Sequence, residues 1–172
     1  MRLHPKVINY IAFNLIWFGL VVAGNFFVPL AAIWLVLHIT FCNDKVTEAK
    51  LIGLVTLIGI SLDSSLTYFG IYVFDDRTFI PMWLILLWAN FASTINHSLH
   101  FLTQSKALQW FVGTVIAPLS YVAGYKLDAV SFGYPTFTTY MLLSLIWGGL
   151  LMLFYIIRDE LFLDPREEPS HV

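Results

Sequence analysis

Two histidines three residues apart, His97 and His100, and one aspartate inside an apolar run, Asp63, have the most chemistry to offer in this sequence. Residues three apart share a helix face, so His97 and His100 resemble half of a metal site. A metal would need at least one more ligand, such as His38 or Asp63. No second HxxH or ExxH pair lies within the apolar segments, and the histidine-rich clusters of membrane di-iron enzymes are absent. The sequence therefore assigns no cofactor, and His38, His97 and His100 stand as metal candidates without a completed ligand set. The other chemistry open to Asp63 and His97 is acid–base catalysis, since histidine titrates near neutral pH. The competing reading is structural: polar side chains hydrogen-bonding between helices.

The histidines sit in Pro81 to Thr103, PMWLILLWANFASTINHSLHFLT, a stretch long enough to cross a bilayer as one helix. At 100° per residue, Asn90, Ser93, Thr94, His97 and His100 share one face, extended by Trp83, with Asn96 beside it. Polar groups at membrane depth are costly and face a bundle interior or a cavity. Asp63, in the preceding apolar segment, is expected at the depth of Asn90. Further polar groups, Asn9, Asn14, His38 and Thr40, fall toward the side of His97. Together with His97 and His100 these predict a cavity opening to the cytoplasm, with Asp63 and Asn90 at its floor. Pro118 predicts a kink in the wall beside Ser120 and Tyr121. The candidate catalytic residues are Asp63 and His97. The candidate substrate-binding residues are Trp83, Trp88, Asn90, Ser93 and Tyr121.

Composition places these residues in a membrane. The chain has 172 residues, 59% hydrophobic and 12% charged, with a mean hydropathy of +0.78. Soluble domains carry roughly 25% charged residues. The net charge of −2 offers no basic field for nucleic acid. The lone cysteine, Cys42, excludes an intramolecular disulfide and a cysteine-based zinc cluster, and reads as a small buried hydrophobe. No Gly-rich phosphate loop, GxSxG or Walker motif occurs.

Six apolar segments follow: Val7–Ala23, Phe26–Cys42, Leu51–Val73, Pro81–Thr103, Ala107–Tyr125 and Thr136–Ile157. The first imitates a secretory signal, but the apolar run resumes after Gly24-Asn25, so it is expected to be retained. Asn43–Lys50 reads as a charged loop and Asp75-Asp76-Arg77 as a turn. Gln104-Ser105-Lys106 is a short turn, Lys126–Pro135 a longer loop, and Arg158–Val172 a polar tail. With the N-terminus inside, Arg2, Lys6, Lys45, Lys50, Lys106, Arg158 and Arg166 are cytoplasmic, against Arg77 and Lys126 outside. The positive-inside rule thus predicts both termini in the cytoplasm. Tyr72, Phe74, Tyr134 and Trp110 are expected in interfacial aromatic belts, and Gly148-Gly149 at a close helix approach.

Three segments carry a resemblance: Gly59-Ile60-Ser61-Leu62-Asp63; Pro81-Met82-Trp83 through Leu87-Trp88-Ala89-Asn90-Phe91-Ala92; and Pro118-Leu119-Ser120-Tyr121 through Gly124. Their order and spacing resemble an uncharacterised bacterial family of inner-membrane proteins, domain of unknown function 2878, over nearly the whole chain. Genes of that family often neighbour cyclopropane-type fatty-acid synthases and other lipid-modifying genes, which implies a role in lipid or fatty-acid modification. Ala117 and Asp128 stand where the family pattern has glycine.

The expectation is an all-α polytopic membrane bundle of six transmembrane helices. It has one domain over 1–157 and a cytoplasmic tail over 158–172, set in the bacterial inner membrane. Its leading function is binding or modifying a membrane lipid or acyl chain, with a lipid-modifying partner enzyme and no nucleic acid. The alternatives are a small-solute or proton-coupled transporter with Asp63 as the titrating group, or a non-catalytic subunit of a lipid-modifying system.

Overall fold

The computed structural model of the chain describes residues 4–74 and 79–162. The predicted Asp75-Asp76-Arg77 turn, Arg2, and the tail from 163 onward with Arg166 lie outside the described residues. The described chain is all-α apart from two short strands. Helix α1 (Pro5–Ala23) starts on Pro5, where a missing N–H costs nothing, and the His4 side chain accepts from Lys6 N–H. It stops at Gly24, whose φ of 54° favours a residue without Cβ. A 3-10 turn, Gly24–Phe27, leads into α2 (Val28–Phe41), with Pro29 in its first turn. Then come α3 (Lys45–Tyr68), α4 (Met82–Ile95) and a 3-10 stretch, His100–Gln104. α5 (Lys106–Phe111) and α6 (Ala117–Lys126) are joined by a π-helical turn, Val112–Ile116, and α7 (Thr136–Phe162) closes the fold. Strands β1 (Tyr72–Val73) and β2 (Ser131–Phe132) pair antiparallel, Tyr72 opposite Phe132.

Four helical stretches are long and apolar enough to cross a membrane: Pro5–Phe41, Lys45–Tyr68, Lys106–Lys126 and Thr136–Phe162. The first contains the α1–α2 reversal. Asn25 Oδ1 accepts from Trp83 N–H at the start of α4, while Asn9 reaches Ser93 in its last turn and Ser98 just beyond. α1 therefore runs against α4. α2 runs along α4, because His38 near its end meets His97. α4 has only 14 residues, about 21 Å of helix, short of the ~30 Å hydrocarbon core.

Several local expectations are corrected. The predicted loop Asn43–Lys50 is mostly helix. Asp44 caps α3 by accepting from Thr47 N–H at 3.0 Å, so Lys45 to Lys50 form its first turns. The fourth apolar segment is not helical through Thr103. Ser93 and Thr94 hydroxyls donate to the carbonyls of Asn90 and Phe91 at 2.7 and 2.6 Å, competing with the helical ladder. Leu99 N–H then closes on Thr94 O at 2.8 Å. The irregular segment after Ile95 is held by side chains from elsewhere. Asn9 Oδ1 accepts from the Ser98 hydroxyl, Tyr155 donates to Leu99 O, Gln109 to Leu102 O, and Arg158 donates twice to Asn96 Oδ1. This is how non-helical backbone is satisfied inside a bundle.

Pro118 does not act alone as a kink. Its missing N–H is accommodated by the π-turn just before it, where the ladder shifts by one residue. α7 continues past Ile157 to Phe162, so Arg158 belongs to a helix rather than to the tail. Tyr72 and Phe74 are buried in the bundle, not placed in a belt, whereas Trp110 and Tyr134 are exposed. Gly148 does sit at a close approach, since a Cβ there would press on Thr114 and Trp110; Gly149 faces open space. Gly113 answers it from the π-turn, lying against the Trp147 carbonyl.

Candidate functional site

A cavity of about 540 Å³ lies inside the bundle. Its floor is α4 and α7, through Trp83, Leu87, Trp88, Phe91 and Trp147. One wall is α1, with Tyr10, Phe13, Asn14 and Trp17; the other is the π-turn and α6, with Ile116, Leu119, Ser120 and Tyr121. The lining is mostly aromatic and aliphatic. Tyr10, Ile116 and Leu119 are exposed, so the rim between α1 and the π-turn–α6 wall opens on the outer face of the bundle. The volume falls in the ~300–1,000 Å³ range of small-molecule sites.

The aromatic floor is a continuous stack. Trp88 and Trp147 lie parallel, 5.2 Å between centroids and 2° between planes. Phe91 and Phe154 meet both indoles edge-on or tilted. Tyr121 stacks on Tyr72 at 5.3 Å. Gly59 of α3 makes room for this, because a Cβ there would overlap the Trp88 indole.

Asp63 lies behind this stack, fully buried, and does not line the cavity. Its Oδ2 accepts from Trp88 Nε1–H at 2.7 Å, and its Oδ1 from the Tyr121 hydroxyl at 3.4 Å. Both donors are cavity-lining residues, so Asp63 meets the floor through Trp88 and, at longer range, the wall through Tyr121. Three buried polar atoms here have no protein partner: Tyr72 Oη, Trp147 Nε1 and Asn90 Oδ1. Two of these belong to lining residues, which leaves hydrogen-bonding capacity in an otherwise apolar wall.

The structure divides the residues that the sequence grouped on one face. Of these, Trp83 and Thr94 line the cavity, as do the candidates Trp88 and Tyr121 from outside that face. Asn90 and Ser93 do not; they are buried among backbone carbonyls, Asn90 donating to Leu86 O and Ser93 to Asn90 O. His97 and His100 lie beyond the end of α4 and point to different partners. His100 Nδ1 faces the Arg158 guanidinium at 3.4 Å. The single cavity lined by Asp63, Asn90 and His97 that the sequence suggested is therefore replaced by two separate centres.

The second centre is where His97 goes. His97 Nε2 is 3.2 Å and His38 Nε2 3.0 Å from Glu48 Oε1. Cys42 Sγ is 3.7 Å from each of those nitrogens. Glu48 is almost fully buried, and the two imidazoles pack edge to face. Glu48 was not singled out by the sequence, and Cys42, expected as a small buried hydrophobe, is instead partly exposed with its sulfur beside two imidazoles. Cys42 was visible in principle: His38 and Cys42 are four apart, on one face at the end of α2. Glu48 was hidden by the loop assignment, which the Asn43-Asp44 helix cap could have corrected.

A family model described as Protein of unknown function (DUF2878) matches residues 6–153. No curated protein and no solved structure matches this chain.

Proposed function

This chain belongs to that family of unknown function, and we propose that it is an integral membrane protein that binds a lipid or fatty-acyl chain within its helix bundle. In this reading it has six membrane passes with both termini in the cytoplasm of a bacterial inner membrane. The ends of successive helices alternate between the two ends of the bundle, and Lys45, Lys50, Lys106 and Arg158 gather at one of them, which supports that orientation. The observation that carries the function is the aromatic-lined cavity whose rim, at Tyr10, Ile116 and Leu119, opens on the outer face of the bundle. A ligand entering between α1 and α6 would come from the acyl-chain region rather than from water. An apolar chain stacks on the Trp88–Trp147 floor, and the few polar groups, Asn14, Thr94, Ser98 and Ser120, hold its polar end.

Trp83, Trp88 and Tyr121 are the ligand-contacting residues in this reading, and Asp63 is a positioning residue acting through Trp88 and Tyr121. A partner enzyme that modifies the held lipid is part of the same proposal. Native mass spectrometry of the protein released from native membrane nanodiscs tests it. The expected result is one retained lipid or acyl species that is lost in Leu119→Trp, which fills the rim. An absence of any retained species, or equal retention by Leu119→Trp, would refute the proposal.

A further inference from the structure

We propose that His38, Cys42, Glu48 and His97 form a closed four-ligand site for a divalent transition metal of the zinc class, clamping α2 and α3 to the segment that follows α4. The four donor atoms lie within 4.8 Å of one another. Glu48 Oε1 is 3.0 and 3.2 Å from the two imidazole nitrogens, and each nitrogen is 3.7 Å from Cys42 Sγ. A tetrahedral centre with bonds of ~2.0–2.3 Å spaces its donors roughly 3.3–3.7 Å apart. The side chains are thus already near the edges of that polyhedron, and a small outward shift of Glu48 admits the ion.

Donor chemistry selects the metal class. Two neutral imidazoles, one thiolate and one carboxylate suit zinc and its neighbours; calcium and magnesium need more oxygen ligands than one carboxylate offers. The charge also closes. A thiolate and a carboxylate carry two negative charges, and a divalent ion neutralises both. That matters where Glu48 is buried, because an uncompensated buried charge is costly. Binding releases the Cys42 thiol proton to solvent. His97 keeps 28% of its side chain exposed against 7% for His38 and 2% for Glu48, and Cys42 is also partly exposed, so the ion enters on the side of His97 and Cys42.

With four protein ligands and no open position, the site is structural. It fixes the end of α2, the first turns of α3 and the irregular backbone at His97, the part of the bundle with least helix of its own. His100 stays outside, against Arg158.

The test uses full-length protein in detergent, stripped with chelator and reloaded with Zn²⁺ or Co²⁺. About one metal per chain is expected, as for a mononuclear site. The Co²⁺ form should show strong tetrahedral d–d absorption and a thiolate-to-cobalt charge-transfer band. Cys42→Ser should abolish that band. His97→Ala should weaken binding by more than about tenfold, the smallest loss typical of even an outer-shell change. His100→Ala should bind like the parent. Monodisperse parent protein that retains no metal and gives no charge-transfer band would overturn the proposal, and this result requires no variant to fold. A Cys42→Ser spectrum identical to the parent's, or a His100→Ala loss as large as that of His97→Ala, would overturn it as well.

Discussion

Replacing Asp63 with leucine removes the acceptor for two buried donors while keeping the volume roughly constant. The Trp88 N–H, at 2.7 Å, loses a short and direct partner. Trp88 is 3% exposed, so water cannot replace that partner. An orphaned buried donor costs ~1–3 kcal/mol. The Tyr121 contact, at 3.4 Å, is too long to add much. The expected loss for Asp63→Leu is therefore about 1–3 kcal/mol. Trp88→Phe deletes the donor instead and leaves the carboxylate short of one partner. If the two groups act through each other, the double variant costs less than the sum of the singles, with a coupling of about 1–2 kcal/mol. Unfolding by SDS in mixed micelles, followed by circular dichroism, measures all four corners of the cycle. Circular dichroism avoids the change in tryptophan fluorescence that Trp88→Phe brings. A coupling below about 0.5 kcal/mol, the level of independent sites, would refute the positioning role of Asp63. So would an Asp63→Leu variant as stable as the parent.

Two further outcomes follow from the packing and the helix order. Gly59→Ala drives a methyl into the Trp88 indole, which Trp147 backs on its other face, so a destabilisation of ~1–3 kcal/mol is expected in the same unfolding assay. Gly53→Ala on the same helix meets nothing and should be neutral or stabilising by up to ~1 kcal/mol; the reverse ranking would contradict the packing. For the six-pass arrangement, single cysteines at Gln104 and Ser131 in a Cys42→Ser background should react with a membrane-impermeant maleimide from opposite sides of sealed vesicles. Labelling from the same side would remove the proposed topology.

Much of the fold was legible because its causes are local. Gly24 marks the end of α1 and Pro29 the start of α2, and each acts on its own backbone. The apolar runs identified the long helices, and the resemblance carried on Asp63, Trp88 and Pro118 agreed with the family match over residues 6–153. Trp83, Trp88 and Tyr121 were also named from sequence, and the fold brings them to one cavity. The extent of α4 was not legible. A helical wheel assumes that the helix persists, and the hydroxyls of Ser93 and Thr94 end it by bonding back to the chain. Once α4 stops at Ile95, His97 and His100 leave the face they were assigned to.

What the sequence determined by itself, then, is the class of molecule: too few charges for a soluble surface, and apolar runs of spanning length with a polar minority inside them. The tertiary structure alone decided which members of that minority meet. Asp63 turned toward Trp88 and Tyr121, away from Asn90 and His97. Glu48, read as part of a loop, was drawn into the bundle between His38 and His97. The physical reason is that hydropathy and capping act over neighbouring residues, whereas convergence depends on the rotation and depth of helices far apart in the chain. A glycine such as Gly59, which lets an indole settle against α3, sets that rotation through contacts no local pattern reports.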